Sequence, residues 1–152
     1  GGGKSRILRW ALVRILLKLA KDGFKNVRVA LFCEDYPSLK DRHVTKIKTE
    51  FPQWLGTLGD SQTEGLSFVF RPQFGSGVMA LRNLDDPSKY ASSEFAAAAV
   101  DELTKNKREV FDQLRSIIRW PGIDHTPIIA GTNPGEIGHE WVKKIWIKEE
   151  TS

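Results

Sequence analysis

The sequence predicts an α/β domain with a mostly parallel sheet flanked by helices, on two observations. Nearly continuous apolar runs, with the length and lack of alternation of strands buried on both faces, alternate with segments of helical periodicity. The chain is also of single-domain size, since 152 residues can enclose one core without a disulfide or metal staple.

Taken in order, Arg6 to Lys21 is predicted helical, with Ile7, Ala11, Leu12, Ile15, Leu16 and Leu19 at helical spacing. Arg14, Lys18, Lys21 and Lys25 form a basic stripe along it, and Asp22-Gly23 stops it, Gly23 as a left-handed cap. Val27 to Cys33 is the first buried strand. Pro37-Ser38 opens a helix over Leu39 to Phe51. Gly56 to Gln73 is predicted as turns around a strand at Leu66 to Phe70, with another strand at Gly77 to Leu84 and a loop at Asp85-Asp86-Pro87-Ser88. Phe95 to Val100 is a short apolar run ending in Asp101-Glu102, and Lys107 to Trp120 is helical up to Pro121-Gly122. Thr126 to Gly131 is a further buried strand, and Glu140 to Lys148 closes the chain as helix or strand.

Composition excludes several classes. The chain is 40% hydrophobic and 28% charged, with 13 glycines and 7 prolines, unlike collagen-like or disordered chains. Cys33 is the lone cysteine, so no internal disulfide framework exists. Arg9, Arg14 and Lys18 interrupt the longest apolar stretch, which argues against a membrane span. His43, His125 and His139 lack metal-ligand spacing with each other or with Cys33, which argues against zinc. The net charge of +4 is uneven: residues 1–76 carry 13 basic and 7 acidic side chains, residues 77–152 carry 10 and 12. A basic bias of this kind fits contact with a polyanion, and equally a solvated helix face.

Three motifs carry candidate chemistry. Gly1-Gly2-Gly3-Lys4-Ser5 stands at the front of a helix, followed by Arg6. In a phosphate-binding loop, glycines let backbone N–H groups curl around phosphate, the lysine reaches the β/γ-phosphates and the serine hydroxyl ligates Mg2+. Only the end of that pattern is here, and the lesser alternative is a flexible glycine terminus. Asp101-Glu102 ends an apolar run 97 residues after Lys4, as in a Walker B segment. Asp101 then holds Mg2+ and Glu102 polarises the attacking water; the alternative is an acidic helix start. Thr132-Asn133-Pro134-Gly135 follows the last buried strand, either as ordinary turn chemistry or as a segment relaying loss of the γ-phosphate.

With these residues in view, the chain resembles the ATPase domain of the large terminase subunit of tailed bacteriophages. Besides Gly3-Lys4-Ser5 and Asp101-Glu102, the resemblance rests on Tyr36-Pro37-Ser38-Leu39-Lys40-Asp41, Asp85-Asp86-Pro87-Ser88-Lys89-Tyr90, Leu114-Arg115-Ser116 and Arg119-Trp120-Pro121-Gly122. Its most specific part is Thr132-Asn133-Pro134-Gly135, Gly138-His139 and Trp141-Val142-Lys143-Lys144.

The resemblance implies an additional-strand (ASCE-type) P-loop NTPase fold. Residues 1–152 are then one partial ATPase domain, without the first strand, which precedes Gly1, and without the nuclease domain that follows. It implies ATP and Mg2+ as cofactors, with nucleotide held by Gly1, Gly2, Gly3, Lys4, Ser5 and Arg6, and metal by Ser5 and Asp101. Lys4 and Glu102 are the implied catalytic residues, and Thr132 and Asn133 couple product release to movement. The implied partners are double-stranded DNA, a portal protein, a small terminase subunit and further copies in a ring, in the host bacterial cytoplasm at the procapsid. A basic residue acting on a neighbouring subunit is expected shortly before Asp101. Here that stretch reads Ala91-Ser92-Ser93-Glu94, which lacks such a residue, and Arg82 is only a weak substitute. Other readings are a catalytically inactive prophage-derived fragment that only binds DNA or protein, and another ASCE ATPase such as a helicase.

Overall fold

The computed structural model describes residues 2–103 and 106–131. Gly1, Thr132, Asn133, the rest of the terminal motif block and the predicted closing element at Glu140 to Lys148 lie outside them.

The first helix, α1 (Gly2–Lys21), begins four residues earlier than its periodicity suggested. It buries Leu8, Leu12, Val13 and Leu16 and leaves Arg14, Lys18 and Lys21 exposed. It ends in a Schellman motif: the Phe24 N–H reaches the Leu19 carbonyl at 2.9 Å and the Gly23 N–H reaches Ala20 at 3.1 Å. Gly23 takes φ +97°, where a side chain would be strained.

The chain then enters β1 (Arg28–Cys33). Next comes a helical stretch over 36–50: α2 (Tyr36–Leu39), a π-helical turn at Lys40–Val44, and α3 (Thr45–Glu50). Its cap is Asp35, whose Oδ1 accepts from the Ser38 N–H at 2.9 Å, and Pro37 and Ser38 stand in the starting turn as the sequence suggests.

The strands β2 (Gly56–Ser61), β3 (Gly65–Phe70), β4 (Val78–Asn83), β5 (Ala97–Asp101) and β6 (Ile128–Gly131) complete one six-stranded sheet, ordered β2-β3-β4-β1-β5-β6. Strands β4, β1, β5 and β6 run parallel, whereas β2 and β3 pair antiparallel with each other, and β3 with β4. The sheet is therefore mixed, and β2 was not predicted: Gly-Thr-Leu-Gly-Asp-Ser offers one large apolar side chain and is largely exposed. The helix α4 (Lys107–Arg115) stops five residues short of Trp120, because Phe95 bridges to Ile118 beyond its end.

Side-chain alternation divides two cores across the sheet. Val29, Leu31, Cys33, Ala97, Ala99 and Ile129 face α1 and the 36–50 helical stretch; Ala30, Phe32, Ala98, Val100, Ile128 and Ala130 face α4. The buried alanines of β5 admit α1 closely. Gly131 does the same in β6, since a Cβ there would lie 3.1 Å from Leu8 Cδ1. By the same alternation Asp101, two residues past Ala99, comes out on the α1 side.

Candidate functional site

The carboxyl end of β5 meets the first turn of α1. Ser5 and Asp101, 96 residues apart, are joined by a 2.6 Å hydrogen bond from Ser5 Oγ to Asp101 Oδ2. Both are buried. A parallel strand delivers a carboxylate to this edge, and a helix N-terminus brings unpaired N–H groups and positive potential there.

The π-helical turn supplies the second half of the site. Widening one turn re-aims its side chains, and here His43 and Arg42 both reach the acidic pair. His43 lies 2.7 Å from Asp101 Oδ2 through Nε2 and 3.2 Å from Arg9 Nη1 through Nδ1. A guanidinium only donates, so Nδ1 accepts and the proton sits on Nε2, which donates to Asp101. Burial depresses the His43 pKa, the Arg9 and Arg42 charges act in the same direction, and Asp101 opposes without prevailing. His43 is thus a neutral imidazole with a fixed tautomer.

Asp101 feels opposing influences. Burial pushes its pKa up, but the hydrogen bonds from His43 and Ser5 and the nearby Arg42 charge prevail, holding it below the ordinary carboxylate value. Both hydrogen bonds fall on Oδ2. Buried Oδ1 has no hydrogen-bond partner among the described residues, and Arg42 Nη1 stands 4.0 Å away. An ionised oxygen left open beside a serine hydroxyl suits a hard divalent cation such as Mg2+.

Glu102 follows with φ +52°, a left-handed backbone for a residue with a Cβ. Its carboxylate accepts from Arg42 Nη2 at 2.5 Å. Arg42 is fixed from behind, since its carbonyl accepts from Arg9 Nη1 at 2.7 Å. Arg9 also grips Glu50 in a fork, Nη2 to Oε2 at 2.8 Å and Nε to Oε1 at 3.3 Å, while Trp10 donates to the same carboxylate. A cleft of about 560 Å³ opens beside the pair, lined by Gly3, Ser5, Arg6, Arg42, Lys46 and Glu102 among others.

Of the sequence-predicted residues, Ser5 and Asp101 touch, Glu102 borders the same cleft, and Gly3 and Arg6 line it. Lys4 is half-buried in the same turn, and Gly2 begins the helix. Arg82 cannot act in a neighbouring subunit. It is buried, and its guanidinium donates to the carbonyls of Leu66, Leu81, Glu64 and Lys89.

Sequence reasoning missed Arg9, Arg42, His43 and Glu50. The signal for Arg9 was available: it lies one residue from Leu8 and three from Leu12 on the buried stripe, where a charge requires a partner. Cys33 and His43, set apart by spacing, come together with Asp101, their ligand atoms within 4.8 Å of one another. The Nε2 proton of His43 occupies the lone pair a metal would need there, and burial, with Asp101 next, pushes the Cys33 thiol pKa up. Within the trio His43 supports the carboxylate by a hydrogen bond, and Cys33 packs as a buried neutral thiol beside it.

Among the described residues, no helix is long and apolar enough to cross a membrane. No protein-family description and no curated protein matches the sequence. Among solved structures, the chain is similar to the large terminase from a thermophilic bacteriophage, at 13% identity and a TM-score of 0.60. The likeness covers 90% of this chain and 34% of that protein, so the chain spans about a third of its length, and at this identity it shows the fold: a mixed α/β sheet flanked by helices, as in a large terminase.

Proposed function

We propose that this chain is the ATP-hydrolysing motor domain of a terminase-type large subunit, of P-loop ASCE class, which drives double-stranded viral DNA into a procapsid. The observation that carries the reading is the Ser5–Asp101 hydrogen bond with Asp101 Oδ1 left open beside it. It is the pairing that a nucleotide-metal site needs from a phosphate-loop serine and a strand-end aspartate. The fold likeness to a phage large terminase supports the same reading.

In this reading Gly1, Gly2, Gly3 and Arg6 contact the phosphates, and Lys4 balances the charge developing on the β/γ-phosphates. Ser5 and Asp101 would hold Mg2+, which would supply positive charge to neutralise the phosphates. Glu102 orients the lytic water and accepts its proton. Thr132 and Asn133 relay loss of the γ-phosphate. The wider assignments follow from the family resemblance: a portal protein, a small terminase subunit, a homo-oligomeric ring, and work in the host cytoplasm at the procapsid.

The deciding experiment is Glu102→Gln with hydrolysis and nucleotide binding measured in parallel. Turnover is expected to fall by about two orders of magnitude or more, with binding retained. Turnover near the wild-type rate removes Glu102 from its role. A wild-type protein that binds no nucleotide at millimolar ATP favours the inactive binding module instead.

A further inference from the structure

Arg42 is the cation that, among the described residues, approaches both acids of the site, and the cleft it borders is lined also by Arg6 and Lys46 and, besides Glu102, by the acids Asp41 and Glu50. Arg9, nearer the core, is already committed to Glu50, to the Arg42 carbonyl and to His43. The backbone of Arg42 is thereby anchored, while its side chain remains 32% exposed at the cleft. Its present partner is a half-exposed carboxylate, Glu102, 38% exposed.

We infer that Arg42 is a phosphate-binding residue of this site, held in reserve by Glu102 until an anion enters the cleft. The inference rests on the ATPase reading and names a residue that the phosphate-loop and strand-end motifs leave out. A polyphosphate presents several anionic oxygens to a guanidinium, which grips two of them in its fork. A single carboxylate in a partly wetted ion pair is a weak competitor. When Arg42 moves to phosphate, Glu102 loses its tether and its carboxylate is released to meet water. Phosphate binding and freeing of the base become one event, carried by one side chain.

The test is a double-mutant cycle on affinity for AMP-PNP with Mg2+, read by calorimetry so that turnover plays no part. Glu102→Gln frees Arg42 and is expected to tighten binding about fivefold. Arg42→Ala is expected to weaken it about tenfold or more, Arg42→Lys by less, since charge remains but the fork is gone. In the Arg42→Ala background, Glu102→Gln should tighten nothing. Retention of the Glu102→Gln gain in that background overturns the inference, as does unchanged affinity in both Arg42 variants. Should Arg42→Ala fail to fold, the Arg42→Lys pair of the cycle decides: there the Glu102→Gln gain must shrink. Lys4→Ala separates the two levels. If it abolishes binding while the Arg42 variants change nothing, the nucleotide site stands and the role of Arg42 falls. If the wild-type protein binds no AMP-PNP, both fall.

Discussion

The sheet buries an arginine at each of two places, and different chemistry holds them. Arg82, on β4 beside the hairpin, donates to the carbonyls of Leu66, Leu81, Glu64 and Lys89. Arg9, on α1, is held mainly by other side chains: the Glu50 carboxylate, His43 Nδ1 and, as its one carbonyl, that of Arg42. Main-chain carbonyls, here from the strands and the turns beside them, stay where the backbone puts them, so damage at Arg82 remains local. Each partner of Arg9 itself leans on another group, and the chain continues through His43 to Asp101 and through Arg42 to Glu102. A buried cation bound to side chains transmits; one bound to backbone only fastens.

The largest expected effect therefore belongs to Arg9→Ala. Removing one partner of a buried ion pair strands the other, a loss of about 3–5 kcal/mol, here with two further acceptors orphaned. Urea unfolding checks it, and a loss below about 1 kcal/mol, the range of an exposed pair, contradicts the network. Arg9→Met with Glu50→Leu sharpens the contrast, because an apolar replacement of a whole pair is often tolerated. Stability should partly return, while AMP-PNP affinity should not, since His43 and Arg42 stay unsupported.

Arg82→Ala comes next, at about 2 kcal/mol, the scale of carbonyls that lose a donor and gain only partial access to water. Its nucleotide affinity should match that of the wild-type protein. A marked loss of affinity would show that the two ends communicate after all.

The same contrast explains what could be read in the sequence. The parallel strands were legible because Val27 to Cys33 and Thr126 to Gly131 must be apolar on both faces, and Asp101 stood out by ending such a run. The edge strand β2 was illegible because a solvated edge imposes no pattern on Gly56 to Ser61. The asymmetry recurs within the site. Ser5 and Asp101 belong to motifs whose spacing carries meaning, so their meeting was an expectation. Arg42 and His43 depend on a π-helical turn, and no local periodicity announces the extra residue in that turn. Regular α-helical geometry would have turned the two side chains elsewhere.

Ser5→Ala is expected to act mainly on function. It removes one donor to Asp101, which keeps the His43 bond, so stability should drop by about 1 kcal/mol. The Mg2+ dependence of AMP-PNP binding should weaken, and Ser5→Thr should restore it by returning the hydroxyl. Full Mg2+ dependence in Ser5→Ala would remove the hydroxyl from the metal site.

The gentlest probe is pH, and its sign follows from His43. In the fold its pKa is depressed, first by burial and then by the Arg9 and Arg42 charges, whereas the unfolded chain takes up a proton at the ordinary histidine value of 6.5. Below that value the unfolded state binds more protons, so the stabilisation from a neutral His43 is complete above pH 6.5, declines as pH falls from there towards the depressed value, and levels off below it. Asp101 is also depressed, from 3.8, so its contribution persists to lower pH and is lost only in stronger acid. The first decline in urea midpoint, setting in as pH falls below about 6.5, thus belongs to His43 and the later one to carboxylates. His43→Asn retains an amide donor for Asp101 but cannot titrate, and should flatten the first decline while leaving the second. Parallel curves for variant and wild type would mean that His43 is not held neutral, and the link from Arg9 to Asp101 would break at the imidazole.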